Sequence, residues 1–537
     1  MKKLICILRS ISLLFALAGC RHTTDTVSSS EGITASPSSD TDNKIINLLY
    51  SYSDTFNPYT ASTDANRNLT TLLYDPLVKT DNSFKPVYAL ASSAQTIEKV
   101  CTVKLRDAAF TDGSAVTADD VIYSYNLAKN CPFYTYNFYE VASVNASDSK
   151  TVVFNLSQYD EYFINLLTFP IVKSGSSGAT DADGKEIPPI GCGRYYISKD
   201  GDSLILNTSY YGKKGSIETI KLIHSPDADS TSHYVEVGAT HVYYTDDDNI
   251  VRMSGKKTEV NLNRLIYIGI NSSYGSLQSK EMRYAISSAL DRSAICQTAY
   301  YNNAIAAKGF FNPYFEATAA VQTIESKPNS KITVENLSKI GYNNMNSNGY
   351  YANNSGNNSV FTLLVNSENS SRVIAANLIA QQCKAAGIQI NVVECGYEQY
   401  VERLSTNNFQ LYLGEIQILD NMDMAQLVIP GGSAAYGVGL ESAQTQNGES
   451  LGDENSESYE NAKPSEEQTK QSSCESIINS YRSGKCGISD VAGTLLTEMP
   501  QIPICYRNGV LFYDSAIVGG VSASRSDIYL SIENYEF

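Results

Sequence analysis

The chain has no tryptophan and only four histidines among its 537 residues. A pocket that needs flat aromatic walls must therefore build them from the 38 tyrosines and 16 phenylalanines. One histidine, His22, lies near the N-terminus, and the others share a stretch with three aspartates: His224, Asp227, Asp229, His233, His241 and Asp246. No HExxH motif or closed zinc spacing occurs there, so we expect exposed or structural histidines and no metal site.

Enzyme signatures are also missing. The sequence has no GxSxG nucleophile elbow, no P-loop, and no GxGxxG motif after a strand. Asp119 and Asp120 form an acidic pair, but they stand at a predicted helix start, where the helix dipole favours acids without any glycosidase chemistry. We therefore predict no enzyme, no catalytic residue and no cofactor.

Basic residues are outnumbered, with 40 Lys and Arg against 57 Asp and Glu, and the formal net charge is -17. Such a surface repels nucleic-acid phosphates, so we expect no nucleic-acid partner. The apolar content of 42% is that of a globular chain with a sizeable core. The length allows more than one core or one large composite fold.

The 11 cysteines are irregularly spaced and include no CxxC pair, which indicates neither a zinc module nor a disulfide scaffold. Apart from Cys6 and Cys20, nine remain, an odd number that cannot all pair within the chain. Two pairings are open, since the sequence does not decide whether either forms: Cys474 with Cys486, and Cys383 with Cys395.

The N-terminus carries an export signal. Lys2 and Lys3 precede an apolar run that ends near Leu17, short of the ~20 residues that a membrane-spanning helix needs. The small residues before Cys20 complete a lipobox, which predicts removal of residues 1–19 and a lipid on the Cys20 thiol. The alternative is an ordinary secretory signal with a chance cysteine.

Polar segments interrupt the remaining chain. Residues 20–43 are rich in Ser, Thr and Asp, which predicts a disordered tether. Residues 441–473 are acidic and lack apolar periodicity, so we predict a surface loop there. Residues 343–358, rich in Asn, Ser and Gly, are predicted to be flexible.

Two helices have clear start signals. Thr117 and Asp120 have capping-box spacing before an apolar stripe that begins at Val121. Ser279 is a second cap, followed by apolar residues at helical spacing: Met282, Ala285, Ile286, Ala289 and Leu290. We expect both helices to pack against a core.

The segment from Phe361 to Leu413 alternates strand and helix patterns, and Gly387 marks a helix end. The predicted elements are, in order, strand Phe361–Val365, helix Ser371–Ala386, strand Ile388–Val393, helix Tyr397–Leu404 and strand Phe409–Leu413. This alternation predicts a largely parallel sheet with helices on both faces. Ligands of such sheets bind beyond the carboxyl ends of the strands, so the loop after Leu413 is a candidate site.

Short motifs follow one another in a characteristic order between Ile46 and Tyr506. The first are Phe56-Asn57-Pro58, Leu73-Tyr74-Asp75-Pro76-Leu77-Val78, Leu105-Arg106-Asp107, Phe110-Thr111-Asp112-Gly113 and Thr117-Ala118-Asp119-Asp120-Val121. The later ones are Ile190-Gly191-Cys192-Gly193-Arg194-Tyr195, Met282-Arg283-Tyr284-Ala285-Ile286, Ala289-Leu290-Asp291-Arg292, Ala386-Gly387-Ile388 and Pro500-Gln501-Ile502-Pro503-Ile504. As an ordered set they resemble the family 5 extracellular solute-binding proteins, the oligopeptide, dipeptide and nickel-binding group that serves ABC importers.

The resemblance implies an α/β, two-lobed, periplasmic-binding-protein-like (type II) fold with an extra subdomain inserted in the first lobe. The implied boundaries are 44–66, 189–260 and 501–537 for lobe I, 67–188 for the inserted subdomain and 261–500 for lobe II. A hinge joins the lobes, which close over a ligand in the cleft between them.

The resemblance also implies a site. In peptide-binding relatives an Asp in a WxxD-like loop binds the ligand's ammonium group, because a buried cation needs a partner. The matching residues here run from Gln417 to Asp420, with Asp423 in reserve. Gln417 replaces the Trp, and Cys192 and Arg194 depart from the GTGPY-like turn. The alternative is that both aspartates are solvated loop acids.

The function implied is that of an extracytoplasmic receptor, anchored to the cell membrane by its N-terminal lipid, that captures peptides and delivers them to an ABC permease. We expect a monomer. Two alternatives remain open: a binder of nickel chelates or other small solutes, and a surface sensing or protein-interaction module with a degenerate cleft.

Overall fold

The computed structural model describes residues 45–247, 253–439 and 472–537. The predicted signal 1–19, the predicted tether 20–43 and nearly all of the predicted acidic loop 441–473 lie outside these ranges. Those three predictions therefore stay predictions. No helix within the described ranges is long and apolar enough to cross a membrane.

The first half of the chain is rich in strands. Its elements up to residue 156 are β1 Ile45–Tyr50, α1 Asp64–Leu73, β2 Val78–Thr80, β3 Pro86–Tyr88, β4 Ala91–Ile97, β5 Val100–Leu105, α2 Ala118–Ala128, β6 Val141–Asp148 and β7 Thr151–Leu156. Those that follow are β8 Tyr195–Ile197, β9 Ser203–Leu206, β10 Thr219–His224, α3 Ala228–Glu236 and β11 Val242–Thr245.

These strands form separate sheets. One has the order β1-β10-β9-β8, in which β1 and β10 are parallel and the other neighbours antiparallel. Another, β4-β5-β7-β6, is antiparallel throughout and is covered on one face by α2. The predicted capping box of α2 is confirmed, since the Asp120 carboxylate accepts a 2.8 Å hydrogen bond from the Thr117 N–H.

The second half alternates strands and helices more regularly. Its first elements are β12 Lys256–Ile270, α4 Lys280–Ser288, α5 Arg292–Ala299, β13 Ala304–Ala306, α6 Ser330–Lys339, β14 Asn344–Met345 and β15 Tyr351–Ala352. The later elements are β16 Val360–Asn366, α7 Ser370–Ala385, β17 Gln389–Cys395, α8 Tyr397–Ser405, β18 Leu411–Gln417, α9 Ala425–Val428, α10 Ser473–Arg482, α11 Ile488–Glu498 and β19 Ile502–Tyr513.

The predicted elements of the 361–413 segment are confirmed, including the left-handed Gly387 (φ +79°) after α7. The prediction of a largely parallel sheet is wrong. The sheet has the order β11-β19-β12-β18-β16-β17, and only β16 pairs in parallel, with β17 and β18. Because β12 and β19 run antiparallel to their neighbours, the sheet is mixed.

Strands β12 and β19 pass through two hydrophobic cores. Val260 and Leu511 pack in the core that contains β1, α1 and the β4-β5-β7-β6 sheet. Ile266 and Ile504 pack in the core built on β16, β17 and β18. Between these points the pairing register shifts, and Asn263 has a φ of 53°. The paired strands thus connect the two cores at an irregular segment.

Two further predictions concern local structure. The 343–358 segment, predicted to be flexible, contains the β14-β15 hairpin. Neither candidate disulfide forms, because every cysteine in the described ranges has a free thiol.

The turn before β8 packs tightly against the end of α1. A Cβ atom at Gly193 would lie 2.4 Å from the Leu72 carbonyl oxygen, so no side chain fits at this position. Arg194, a departure from the resembling family's turn, is buried and donates a 2.7 Å hydrogen bond to Asp527. Asp527 also binds Lys79 at 2.9 Å, so the C-terminal segment is tied to the turn and to β2.

Candidate ligand-binding cleft

A cavity of about 300 Å³ lies where the two cores meet. Its lining comes from α1, from the segments around residues 133 and 168 and from the C-terminal segment, together with β11, β12 and the end of β18. Tyr74 and Leu262 in its lining belong to the first core, and Arg264 and Gln417 are the neighbours in sequence of residues that pack in the second. Its volume lies at the lower end of the range of about 300–1,000 Å³ that is typical of ligand pockets.

The aromatic part of the lining consists of Tyr74, Phe133, Tyr134 and Tyr244. Since the chain has no tryptophan, the flat walls are built from tyrosine and phenylalanine, as its composition predicts. Burial raises the pKa of the Tyr134 and Tyr244 hydroxyls, which keeps both protonated at neutral pH. Both can therefore donate a hydrogen bond to a ligand.

Arginine side chains supply most of the charge in the lining. Arg67 pairs with Asp64 and lies over the Phe133 ring, 4.3 Å from its centroid. Arg264 pairs with Asp246 at 2.9 Å, and all four of these charged groups line the cavity. Arg525 also lines the cavity, although Asp420, the carboxylate with which it pairs, does not.

Gln417 is the predicted site residue that lines the cavity. It is the last residue of β18, and its side-chain amide donates hydrogen bonds to the carbonyl oxygens of Leu262 and Ile418, at 2.7 and 3.0 Å. These bonds tie the end of β18 to β12. The Gln417 side chain is thus fixed at the edge of the cleft.

Asp420 lies behind the cavity wall. One of its carboxylate oxygens accepts a 2.6 Å hydrogen bond from Arg525, and the other accepts a 3.0 Å bond from the Thr80 hydroxyl. The Asp420 side chain is only 2% exposed. A ligand ammonium group would have to displace Arg525 to reach it.

Asp423 lies outside the cavity lining. Its carboxylate accepts a 2.8 Å hydrogen bond from Arg482 and a 3.0 Å bond from the Ala425 N–H, at the start of α9. The structure therefore does not bring together the three predicted site residues. Gln417 lines the cleft, Asp420 supports one of its arginines, and Asp423 joins α9 to α10.

The sequence profile of the bacterial extracellular solute-binding proteins, family 5, middle part, matches residues 85–436, which is well over half of the chain. The chain belongs to this family. Its resemblance to the family in the ordered motifs is thereby confirmed.

Individual relatives of this family 5 protein are distant. The oligopeptide-binding protein AppA of Bacillus subtilis (strain 168) is 25% identical over 377 residues, which cover 66% of this chain and 69% of the relative. Among solved structures, a nickel ABC transporter protein from Bacillus halodurans has a TM-score of 0.70 at 16% identity, covering 92% of this chain and 100% of that one. The unliganded open form of the periplasmic murein tripeptide-binding protein MppA has a TM-score of 0.68 at 15% identity, with coverages of 92% and 96%. The family 5 protein therefore has the two-lobed α/β fold of periplasmic binding proteins.

Several cleft residues were not predicted from the sequence, notably Tyr134, Tyr244, Arg264 and Arg525. They come from four segments that are far apart in the chain, and none stands in a recognisable motif. The only indication in the sequence was indirect: the resemblance assigns residues 501–537, which include Arg525, to lobe I. No local pattern distinguishes Arg525 from other surface arginines.

A polar contact joins the segment at residues 160–162 of the family 5 protein to the loop after β18. The Asp160 carboxylate accepts a 2.7 Å hydrogen bond from the Asn421 side chain and a 2.9 Å bond from the Tyr162 N–H. Asp160 is buried, and no lysine or arginine of the described ranges pairs with it. Burial raises its pKa to about 7, aided by the negative charges of Asp423 and Glu140.

The histidines of the 224–241 stretch lie apart from the cleft lining. The ring nitrogen Nδ1 of His224 accepts a hydrogen bond from the Tyr52 N–H at 3.0 Å, and that of His241 accepts one from Asn47 at 2.9 Å. Burial lowers the pKa of His241, which favours the neutral ring. Within the described ranges, no three His, Cys, Asp or Glu side chains are grouped as metal ligands would be.

Proposed function

We propose that this family 5 protein is the receptor of an ABC importer that captures a peptide between its lobes and delivers it to a membrane permease. The cavity at the junction of the two cores carries this proposal, because a closing cleft encloses its ligand between groups of the first core and Arg264 and Gln417 beside the second. The names of relatives support the ligand class, since the Bacillus subtilis relative is an oligopeptide-binding protein.

The irregular segment of β12 and β19 is the proposed hinge. We assign residues 44–66, 189–260 and 501–537 to lobe I, 67–188 to its inserted subdomain and 261–500 to lobe II. Rotation about the register shift near Asn263 would open and close the cavity while each core keeps its packing. A permease that recognises the closed shape would then read whether ligand is bound.

Native mass spectrometry of the purified protein tests the proposal. We expect a co-purified small solute, released on denaturation, and a rise in melting temperature when short peptides are added, because a ligand that binds only the folded state stabilises it by mass action. A bound nickel chelate with no peptide would instead favour the alternative that the protein binds nickel chelates or other small solutes. A protein that accepts neither would support the sensing module with a degenerate cleft.

Lipid anchoring at Cys20 is a separate proposal. We expect Cys20→Ser to move the protein from the membrane fraction to the soluble fraction of cells that express it, because the thiol that carries two acyl chains is lost. Cys6→Ser is the matched control, since Cys6 belongs to the signal that is removed. Equal membrane retention of both variants would contradict the assignment of Cys20.

The ammonium-binding role of Asp420 stays a prediction from the resemblance, and Asp420→Asn tests it. Since Arg525 already occupies the carboxylate, we expect the variant to lose no more affinity for a free-amine peptide than for its N-acetylated counterpart. Isothermal titration of the two peptides measures the difference. A loss about ten-fold larger for the free amine would instead show that the ligand's ammonium group displaces Arg525.

A further inference from the structure

The charge of the cavity lining is opposite to that of the whole chain. The chain has a formal net charge of -17, yet within the described residues four cationic and two acidic side chains line the cavity: Arg67, Lys79, Arg264, Arg525, Asp64 and Asp246. Arg67 and Arg264 are neutralised by the two acids, which share the cavity wall with them. The excess positive charge therefore belongs to Lys79 and Arg525.

These two cations differ in what they offer to a ligand. Lys79 is 8% exposed, and its ammonium group is held between Asp75 at 3.0 Å and Asp527 at 2.9 Å. The Arg525 side chain is 35% exposed, while its partner Asp420 is 2% exposed and lies outside the lining. Among the described residues Asp420 is the one hydrogen-bond partner of the Arg525 guanidinium, which leaves further N–H groups for a ligand.

Two neutral donors lie in the same wall as Arg525. Tyr134 and Tyr244 also line the cavity, and neither hydroxyl has a hydrogen-bond partner within the described ranges. Burial works against the charge of Arg525, but Asp420, with smaller contributions from the two phenols, raises its pKa. The guanidinium thus stays charged beside two hydroxyl donors.

We propose that Arg525 is the anion-binding residue of this cleft and that the ligand places a carboxylate against Arg525, Tyr134 and Tyr244. A guanidinium fork and two hydroxyls match the acceptor lone pairs of a carboxylate. This inference rests on the proposed function, because it names the chemistry that the same cleft recognises.

Asp420 then acts as a positioning residue. It holds one end of the Arg525 guanidinium through the 2.6 Å hydrogen bond and leaves its other N–H groups for the ligand. The 3.0 Å bond from Thr80 fixes the Asp420 carboxylate in turn. The resemblance assigns Asp420 to the ligand's ammonium group. In this proposal Asp420 instead helps the cleft to bind a carboxylate of the ligand.

Matched pairs of probes test the inference on the purified full chain. We expect short alanine peptides with a free carboxyl terminus to raise the melting temperature more than their C-terminal amides do. Citrate tests whether a carboxylate that is not part of a peptide also raises it. A response to the peptide acids alone identifies a peptide carboxylate, and a response to citrate alone identifies another polycarboxylate. If neither carboxylate probe stabilises the wild-type protein more than the amides do, the inference is overturned.

Variants then assign the effect to Arg525. We expect Arg525→Gln to lower the affinity for the responding carboxylate probe by about ten-fold or more, because a charge-assisted, two-point contact is lost. The affinity for the amide should not change. Arg525→Lys should retain part of the affinity, since an ammonium group offers charge without the fork. Asp420→Asn should weaken binding of the carboxylate probe less than Arg525→Gln does, since the guanidinium keeps its charge and loses only the carboxylate that positions it.

Controls separate binding from folding. Asp420→Asn combined with Arg525→Gln leaves no unpaired buried charge, so it should fold and still fail to bind the carboxylate probe. Arg403→Gln changes a partly exposed arginine of α8, whose side chain bonds, among the described residues, to the Asn408 carbonyl oxygen alone, and the variant should bind like the wild type. Full binding by the double variant would overturn the role of Arg525.

The two proposals fail in different ways. A co-purified solute that lacks any acidic group, bound equally by the wild type and by Arg525→Gln, would leave the receptor function intact and remove the inference about Arg525. A protein that binds no peptide, chelate or polycarboxylate would remove both.

Discussion

Replacing Asp527 with alanine should lower the stability of the protein by roughly 3–5 kcal/mol, the usual loss when one partner of a buried ion pair is removed. Asp527 is fully buried and binds Arg194 at 2.7 Å and Lys79 at 2.9 Å. Burial alone would raise the pKa of Asp527, but these two cations lower it, so the carboxylate is charged. Its removal leaves two buried cations with fewer partners.

The loss should be visible as a fall of roughly 3–5 °C in the melting temperature, followed by circular dichroism. Asp527→Asn keeps the shape and an acceptor for the Tyr529 N–H, so its loss should be smaller. Asp107→Ala, which breaks an exposed pair with Lys150, is the matched control and should leave the melting temperature unchanged. A loss for Asp527→Ala no larger than for this control would mean that the buried network does not stabilise the fold.

Replacing Asp160 with asparagine should change the pH dependence of stability. The folded-state pKa of Asp160 is raised to about 7, from an ordinary value near 4. Between these two pH values the folded chain holds a proton on this group that the unfolded chain has lost, so the stability contributed by Asp160 falls as the pH rises. Above about pH 7 both states are deprotonated and the loss is constant.

An asparagine side chain cannot titrate, so the Asp160→Asn variant escapes this loss. From about pH 5 to about pH 8 we expect the stability of Asp160→Asn relative to wild type to increase by roughly 2–3 kcal/mol. The absolute difference at one pH also includes the altered bonds to Asn421 and Tyr162, which do not depend on pH. Urea midpoints measured at both pH values give the change.

The exposed Asp148, whose pKa is lowered by hydrogen bonds from Lys150 and Thr151, provides the control. Asp148→Asn should not gain relative stability over the same range, because a lowered pKa reverses the sign of the linkage. A relative stability of Asp160→Asn that stays constant with pH would show that Asp160 titrates normally in the folded chain.

Local patterns predicted much of the fold correctly. The caps at Thr117 and Ser279 and the helix end at Gly387 depend on residues within a few positions of one another, so the sequence displays them directly. The strand and helix order of the 361–413 segment follows from hydrophobic periodicity for the same reason. The direction of the strands does not follow from periodicity, since β12 joins the sheet from about a hundred residues upstream and runs antiparallel to β18.

The site was predicted less well. Motif order located the loop at Gln417 to Asp420, of which Gln417 lines the cleft. The ammonium-binding role of Asp420 stays a prediction, and in the structure its carboxylate is bound to Arg525. The two residues are 105 positions apart. No spacing rule links them, because their contact depends on how the C-terminal segment packs against the loop after β18.

The sequence by itself determined the family, the helix and strand segments, the absence of tryptophan from the cleft walls and the acidic net charge. These are properties of composition and of neighbouring residues. The tertiary structure alone decided which charges meet in the cleft and which are buried behind it. Burial and pairing arise from contacts between distant segments, and they determine which groups remain available to bind a ligand.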